Sequence, residues 1–179
     1  MLIQLGAFGF LASSLLQSMG GVANVGLLDQ DAALNWTKQY INLLGGDPHN
    51  ITVMGESAGA GSILHHITAK GGQYKPVFKR AIPQSPAFLP QYNPSQLASQ
   101  FTNFSVAANC GSLACLRSQS TEVLQEANIK EIAKAPYGQY QFGPAIDGVY
   151  VQDLPGRELL RGRFAPVQLM LGHNRYIVF

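Results

Sequence analysis

Asn50-Ile51-Thr52-Val53-Met54-Gly55-Glu56-Ser57-Ala58-Gly59, followed by Ala60-Gly61-Ser62-Ile63-Leu64-His65-His66-Ile67, is the stretch on which the reading of the chain turns. The first five residues are a short apolar, β-branched run of the kind that makes a buried strand. The last eight have helical spacing and contain no proline. Between them stands G-x-S-x-G, and strand, sharp turn, helix is the context in which that pentapeptide becomes a nucleophile elbow. Gly55 and Gly59 permit a strained turn and a close approach of neighbouring elements, so the Ser57 hydroxyl stands clear at the end of the sheet. The helix starts at the serine, and its N-terminal dipole and unpaired N–H groups face any anion formed there. The Ala58 N–H, directly after the nucleophile, is one donor for such an oxyanion. The alternative is a glycine-rich strand-to-helix turn in which Ser57 is only a helix cap.

Outward from this stretch the chain alternates strands and helices. A strand fragment and loop are expected within the apolar run Leu2 to Leu16, and a helix from about Asp29, its N-cap or first-turn acid, to Leu43. After the elbow helix come a strand over Arg80–Gln84, a proline-containing loop with Pro86, Pro90 and Pro94, and helices near residues 95–108 and 121–127. Asp147-Gly148 predicts the turn of a hairpin over 142–151, and 167–171 is a last apolar strand. Strand–helix alternation implies an α/β fold, a mostly parallel sheet flanked by helices. There is no internal repeat or low-complexity tract.

Several stretches around the elbow resemble the type-B carboxylesterase/lipase family, which includes the cholinesterases and some fungal lipases. Leu5-Gly6-Ala7-Phe8-Gly9-Phe10-Leu11 is similar to its L-G-x-F-G-F-L segment, and residues 24–36, from Asn24 to Trp36, to its N-x-G-L-x-D-Q-x-x-A-L-x-W segment. Leu44-Gly45-Gly46-Asp47-Pro48, Phe78 to Ser85, and Pro144 to Gly148 follow in the family's order. The resemblance runs from about residue 4 to the end and identifies the chain with a truncated, fungal-type member of this α/β-hydrolase family. It implies residues 1–179 of a partial catalytic domain: the upstream glycine-rich oxyanion loop and the region of the catalytic histidine are not in this sequence. It further implies that Glu56 braces the elbow through a buried contact and that Ser85 corresponds to a serine supporting the triad acid.

A serine hydroxyl needs a base, an orienting acid and oxyanion donors to act as a nucleophile at neutral pH. The family's acid lies in G-x-N-x-x-E-G; here Gly172-His173-Asn174-Arg175-Tyr176 runs into Ile177-Val178-Phe179, and Ile177 stands where the acid belongs. Four histidines are present. His65 and His66 lie eight and nine residues past Ser57, roughly 12 Å along a helix axis, beyond hydrogen-bond reach. His49 falls at the far end of the nucleophile strand, which leaves His173 as the one with an approach from the sheet's C-terminal edge. No histidine spacing suggests a zinc site, and the reading includes neither metal nor cofactor.

Composition excludes other classes. Among 179 residues 46% are hydrophobic, 12% are charged and the net charge is +2, so there is a sizeable core and no basic stripe for nucleic acid or a membrane surface. No apolar stretch reaches the roughly 20 residues of a transmembrane helix, and Leu2–Leu16 lacks the basic flank of a signal peptide. Cys110 and Cys115, followed by Leu116-Arg117, resemble a shortened disulfide loop of the family, which implies a bridge; two buried thiols are the alternative. Asn35, Asn50 and Asn103 head glycosylation sequons, with Asn50 discounted as part of a buried strand. The family's habit implies an extracellular protein acting on a small-molecule or lipid ester. Two functions stay open: a serine ester hydrolase, catalytically impaired in these residues, and an esterase-like binding or adhesion protein. The retained Ser57 elbow favours the first.

Overall fold

The computed structural model describes residues 5–87 and 91–175. Ile177 and the first residues of the expected N-terminal strand lie outside them. In chain order the elements are α1 (Gly6–Phe10), α2 (Ser14–Ser18), α3 (Val25–Tyr40), β1 (Thr52–Glu56), α4 (Ala58–Thr68), β2 (Arg80–Gln84), α5 (Pro94–Ala107), α6 (Leu113–Ser118), α7 (Thr121–Ile132), α8 (Pro155–Leu160) and β3 (Gln168–Leu169). The described residues divide into two compact units, one of residues 27–87 and 148–175, the other of residues 5–26 and 91–147.

The first unit holds a parallel sheet in the order β1-β2-β3, with Thr52 beside Arg80, Glu56 beside Gln84, and Arg80 beside Gln168. β2 is the middle strand and still contains Pro83. The Pro83 carbonyl accepts from the Gly172 N–H (3.2 Å), so this residue faces the β3 side, where its missing N–H leaves a gap in the ladder. That gap falls between the last residue of β3, Leu169, and the isolated bridge from Gln84 to Gly172. α4 packs on β1 and β2. Its Ile63, Leu64 and Ile67 form a core with Phe78 and Ala81, edged by Leu34, Val53 and Val167. Every residue of α4 from Ala60 to Thr68 is buried, as a core helix with an apolar sequence requires.

β1 is less buried than its sequence suggests. It alternates exposed and half-buried residues, and Met54 is 70% exposed. Among the described residues only β2 pairs with it, and nothing covers the face that carries Thr52, Met54 and Glu56. Asn50, expected to be shielded, is likewise exposed and hydrogen-bonds the Arg80 guanidinium. α3 starts four residues earlier than expected, so Asp29 is an exposed residue inside the helix and not its cap.

In the second unit α5 packs against α7 and α2, over a core that includes Ala12, Ala23, Leu97 and Ala145. Asn93 and Gln96 close a capping box at the start of α5, with Pro94 at its first position. Two expectations fail here. Residues 6–18 form the short helices α1 and α2, not a strand and loop: Ser13 caps α2 by accepting from the Leu16 N–H, and the Ala7 N–H at α1 donates to Asn128 on α7 (2.8 Å). The hairpin over 142–151 does not form. Fully buried Asn24, at φ 58°, accepts from the Ala145 N–H and donates to its carbonyl, both at 2.8 Å, and also donates to Asp147. A side chain thus takes the place of a partner strand.

Cys110 and Cys115 are joined, with Cα atoms 5.5 Å apart, tying the end of α5 to α6. The loop is short, so reduction is expected to lower stability by less than the ~3 kcal/mol of a 15-residue loop. Thermal unfolding with and without reductant measures this, and loss of cooperative unfolding on reduction would contradict it.

Candidate functional site

β1 delivers the chain to Ser57 and α4 leaves from it. Ser57 has φ 53° and ψ −118°, a left-handed backbone that a residue with a Cβ adopts at a cost of roughly 1–3 kcal/mol. Three hydrogen bonds of 3.0 Å hold it there. Its N–H donates to the Gln84 carbonyl at the end of β2, and its carbonyl accepts from the N–H groups of Gly61 and Ala87. With that carbonyl tied down, the Ser57–Ala58 peptide has a set plane, and the Ala58 N–H projects the opposite way at the N-terminus of α4. The Ser57 side chain is exposed, and it makes no capping bond to the helix. Its hydroxyl therefore stands clear in a conformation that a plain cap would not require.

The glycines of the pentapeptide divide in function. A Cβ at Gly55 would lie 2.6 Å from the Gly59 carbonyl carbon, so this glycine is what lets α4 turn back against β1. A Cβ at Gly59 would meet nothing within 4 Å, so close approach does not require glycine there. Gly61, outside the pentapeptide, is needed: a Cβ would collide with the Ala87 carbonyl and push away the segment whose N–H clamps Ser57. Gly55→Ala is therefore expected to destabilise by about 1–3 kcal/mol through overpacking, while Gly59→Ala costs nothing measurable. Urea unfolding of the two variants checks this, and equal losses would contradict it.

Other expected residues fall differently. Glu56 is exposed, on the uncovered face of β1, and does not brace the elbow through a buried contact. Ser85 sits at φ 44° just past β2 and accepts from the Asn174 N–H (3.1 Å), which ties the chain after β3 to the end of β2. His173 is exposed, and its Nδ1 lies 3.1 Å from the Asn174 carbonyl. His49 is exposed in a turn, its N–H donating to Asp47. Among the described residues no histidine or carboxylate hydrogen-bonds the Ser57 hydroxyl, and no group of three or more His, Cys, Asp or Glu could hold a metal ion. Among the described residues no helix is long and apolar enough to cross a membrane.

His65 and His66 are buried along α4, and burial holds both imidazoles at a pKa of about 4, with the neighbouring His66 charge adding to the effect at His65. His66 Nδ1 lies 2.7 Å from the Tyr150 hydroxyl and Nε2 lies 2.9 Å from Gln30 Oε1. Burial, then the Asp31 charge, raises the Tyr150 pKa. Gln30, Ser62 and His66 line a cavity of about 460 Å³ between α3, β1 and α4. Sequence reasoning missed this cluster, although the four-residue spacing of Ser62 and His66 puts them on one face of α4.

A family model described as the carboxylesterase family matches residues 4–176. Carboxylesterase patB of Aspergillus clavatus is 43% identical over 164 residues, which take in 91% of this chain and 30% of that protein. A secreted lipase of Arthroderma benhamiae is 37% identical over 164 residues, 90% of this chain and 31% of that protein. Among solved structures, EstA of Aspergillus niger superposes with a TM-score of 0.81 at 37% identity, covering 93% of this chain and 34% of its own. A PNB esterase gives 0.85 at 33% identity, covering 97% and 37%. The chain spans about a third of the length of these proteins.

Proposed function

The chain belongs to the carboxylesterase family, and from that premise we propose that it is the nucleophile-bearing part of a carboxylic ester hydrolase. Ser57 is the nucleophile: its Oγ attacks the ester carbonyl, a base takes its proton, the alcohol leaves, and water then releases the acid from the acyl-serine. The Ala58 N–H is one donor to the oxyanion of each tetrahedral intermediate. The single observation that carries this reading is the strained Ser57 backbone, held by the Gln84, Gly61 and Ala87 bonds with an exposed hydroxyl. Strain of that kind clusters where a site puts it to use, and here it sets out a serine hydroxyl with a backbone N–H beside it, which favours the hydrolase over the adhesion reading.

The base, its orienting acid and the remaining donors are not supplied to Ser57 by the described residues, so residues 1–179 alone are catalytically impaired in this proposal. The substrate class is a small-molecule or lipid ester, and the setting is extracellular. The Cys110–Cys115 bridge and the secreted lipase among the relatives support that setting, as do the exposed sequon residues Asn35 and Asn103.

A chimera tests the proposal. Residues 5–175 replace the matching segment of Aspergillus niger EstA, of which this chain covers 34%, so that the flanks of that longer protein surround Ser57. The chimera is expected to hydrolyse p-nitrophenyl acetate, and Ser57→Ala to reduce kcat by roughly 10⁴–10⁶. A folded chimera whose turnover survives Ser57→Ala would refute the assignment.

A further inference from the structure

The cluster on α4 has a direction. The Ser62 hydroxyl donates to the Ala58 carbonyl (3.0 Å) and accepts from Gln30 Nε2 (3.3 Å). Gln30 thus presents its amide nitrogen to Ser62 and its carbonyl to His66. A carbonyl only accepts, so His66 carries its proton on Nε2 and, as a buried neutral ring, offers Nδ1 as the acceptor for the Tyr150 hydroxyl. Each proton is assigned by the next group in line, and all four side chains are buried. Asp31 and Tyr74, hydrogen-bonded to each other near Tyr150, and His65 beside His66 are the titratable groups around the cluster.

The far end of this line is the peptide joining Ala58 to Gly59. A Cβ at Gly59 would meet open space, and with no side chain to anchor this residue its peptide depends on hydrogen bonds to stay in place. That turn follows directly on the strained Ser57, whose own relaxation would rotate the Ser57–Ala58 peptide next to it. The helix gives the Ala58 carbonyl one bond; the Ser62 hydroxyl gives it a second. We propose that Tyr150, His66, Gln30 and Ser62 are positioning residues, acting through one directed hydrogen-bond chain to hold the Ala58 carbonyl and so, across the Ala58 Cα, to steady the neighbouring Ser57–Ala58 peptide, whose N–H the bonds to the Ser57 carbonyl already aim. The inference rests on the reading of Ala58 as an oxyanion donor. None of the four touches the reacting atoms.

Nuclear magnetic resonance on the isotopically labelled 179-residue chain tests it without ester turnover, so failure of the hydrolase reading leaves these signatures standing. The His66 ring is expected to be neutral with its proton on Nε2; a proton on Nδ1 overturns the proposal and needs no variant. Gln30→Glu still accepts from His66 but cannot donate to Ser62, whose hydroxyl then turns to the carboxylate and releases Ala58. The Ala58 carbonyl carbon is expected to shift upfield in Gln30→Glu, in the same sense as in Ser62→Ala. It stays in place in Thr68→Val, which removes a comparable hydroxyl-to-carbonyl bond at the other end of α4. A folded Gln30→Glu variant with an unmoved Ala58 carbonyl overturns the chain, as does a Thr68→Val variant that shifts it equally.

Discussion

A polypeptide of these 179 residues is expected to hydrolyse p-nitrophenyl esters at the background rate, and Ser57→Ala to leave that rate unchanged. The reason is the state of its histidines. His65 and His66 are buried in α4, and both ring nitrogens of His66 are engaged by Tyr150 and Gln30. His49 and His173 are exposed, with no bond to Ser57. A serine hydroxyl without a base is a poor nucleophile, and loss of the base in a triad enzyme costs about 10⁴–10⁶ in kcat, with a further 10²–10³ for each absent oxyanion donor. The elbow alone does not recover factors of that size. Turnover that disappears in Ser57→Ala, at a rate typical of esterases, would contradict this and require a base among the present residues.

Acid is expected to destabilise the first unit steeply between pH 6.5 and about 4. Burial holds His65 and His66 at a pKa of about 4, against 6.5 for the exposed side chain. As pH falls through 6.5 the unfolded chain takes up two protons that the folded chain does not, so stability is fully present above 6.5 and is lost on the way down to about 4. Below that the folded state binds them as well, and these groups contribute no further loss. Each histidine accounts for about 3 kcal/mol, at about 1.4 kcal/mol per pH unit. The two are neighbours and share part of the effect. Against a total of roughly 5–15 kcal/mol this is large, and each share corresponds to roughly 6–12 °C in melting temperature for a domain of this size. His65 has an unpartnered buried Nδ1, so His65→Leu is expected to halve the acid loss without cost at neutral pH. Melting curves for both proteins across that range decide it; a flat profile for the unmodified chain would sink the prediction.

The elbow was legible from sequence because its meaning is local. Gly55, Ser57 and the apolar runs on either side lie within one strand–turn–helix, and β2 runs over Arg80–Gln84 as expected. The α/β class follows from the same alternation, and the relatives agree with it. The Cys110–Cys115 pairing was legible only through family resemblance. What sequence could not convey was set by partners far along the chain. The Asp147-Gly148 turn signal was sound in itself, but Asn24, 121 residues before Ala145, satisfies the backbone that a hairpin would have paired. Residues 6–18 failed for a different reason: a short apolar run does not distinguish a strand from a packed helix, and the Asn128 bond to Ala7 supports the helix from a distance. Glu56 and Met54 are exposed because a strand's burial depends on what lies beside and above it, which its own residues do not specify. The Ser62–His66 spacing was in view, but Gln30 and Tyr150 join them only in the fold.

Covalent labelling tests the central claim, that Ser57 is a nucleophile poised by its elbow, most directly. A fluorophosphonate probe reacts with an activated serine and marks it by mass. With residues 5–175 seated in the EstA flanks, peptide mapping should find the adduct on Ser57 and no other residue, and the 179-residue polypeptide under the same conditions should carry it weakly or not at all. A folded chimera with no adduct on Ser57, or one labelled at another serine, would contradict the account.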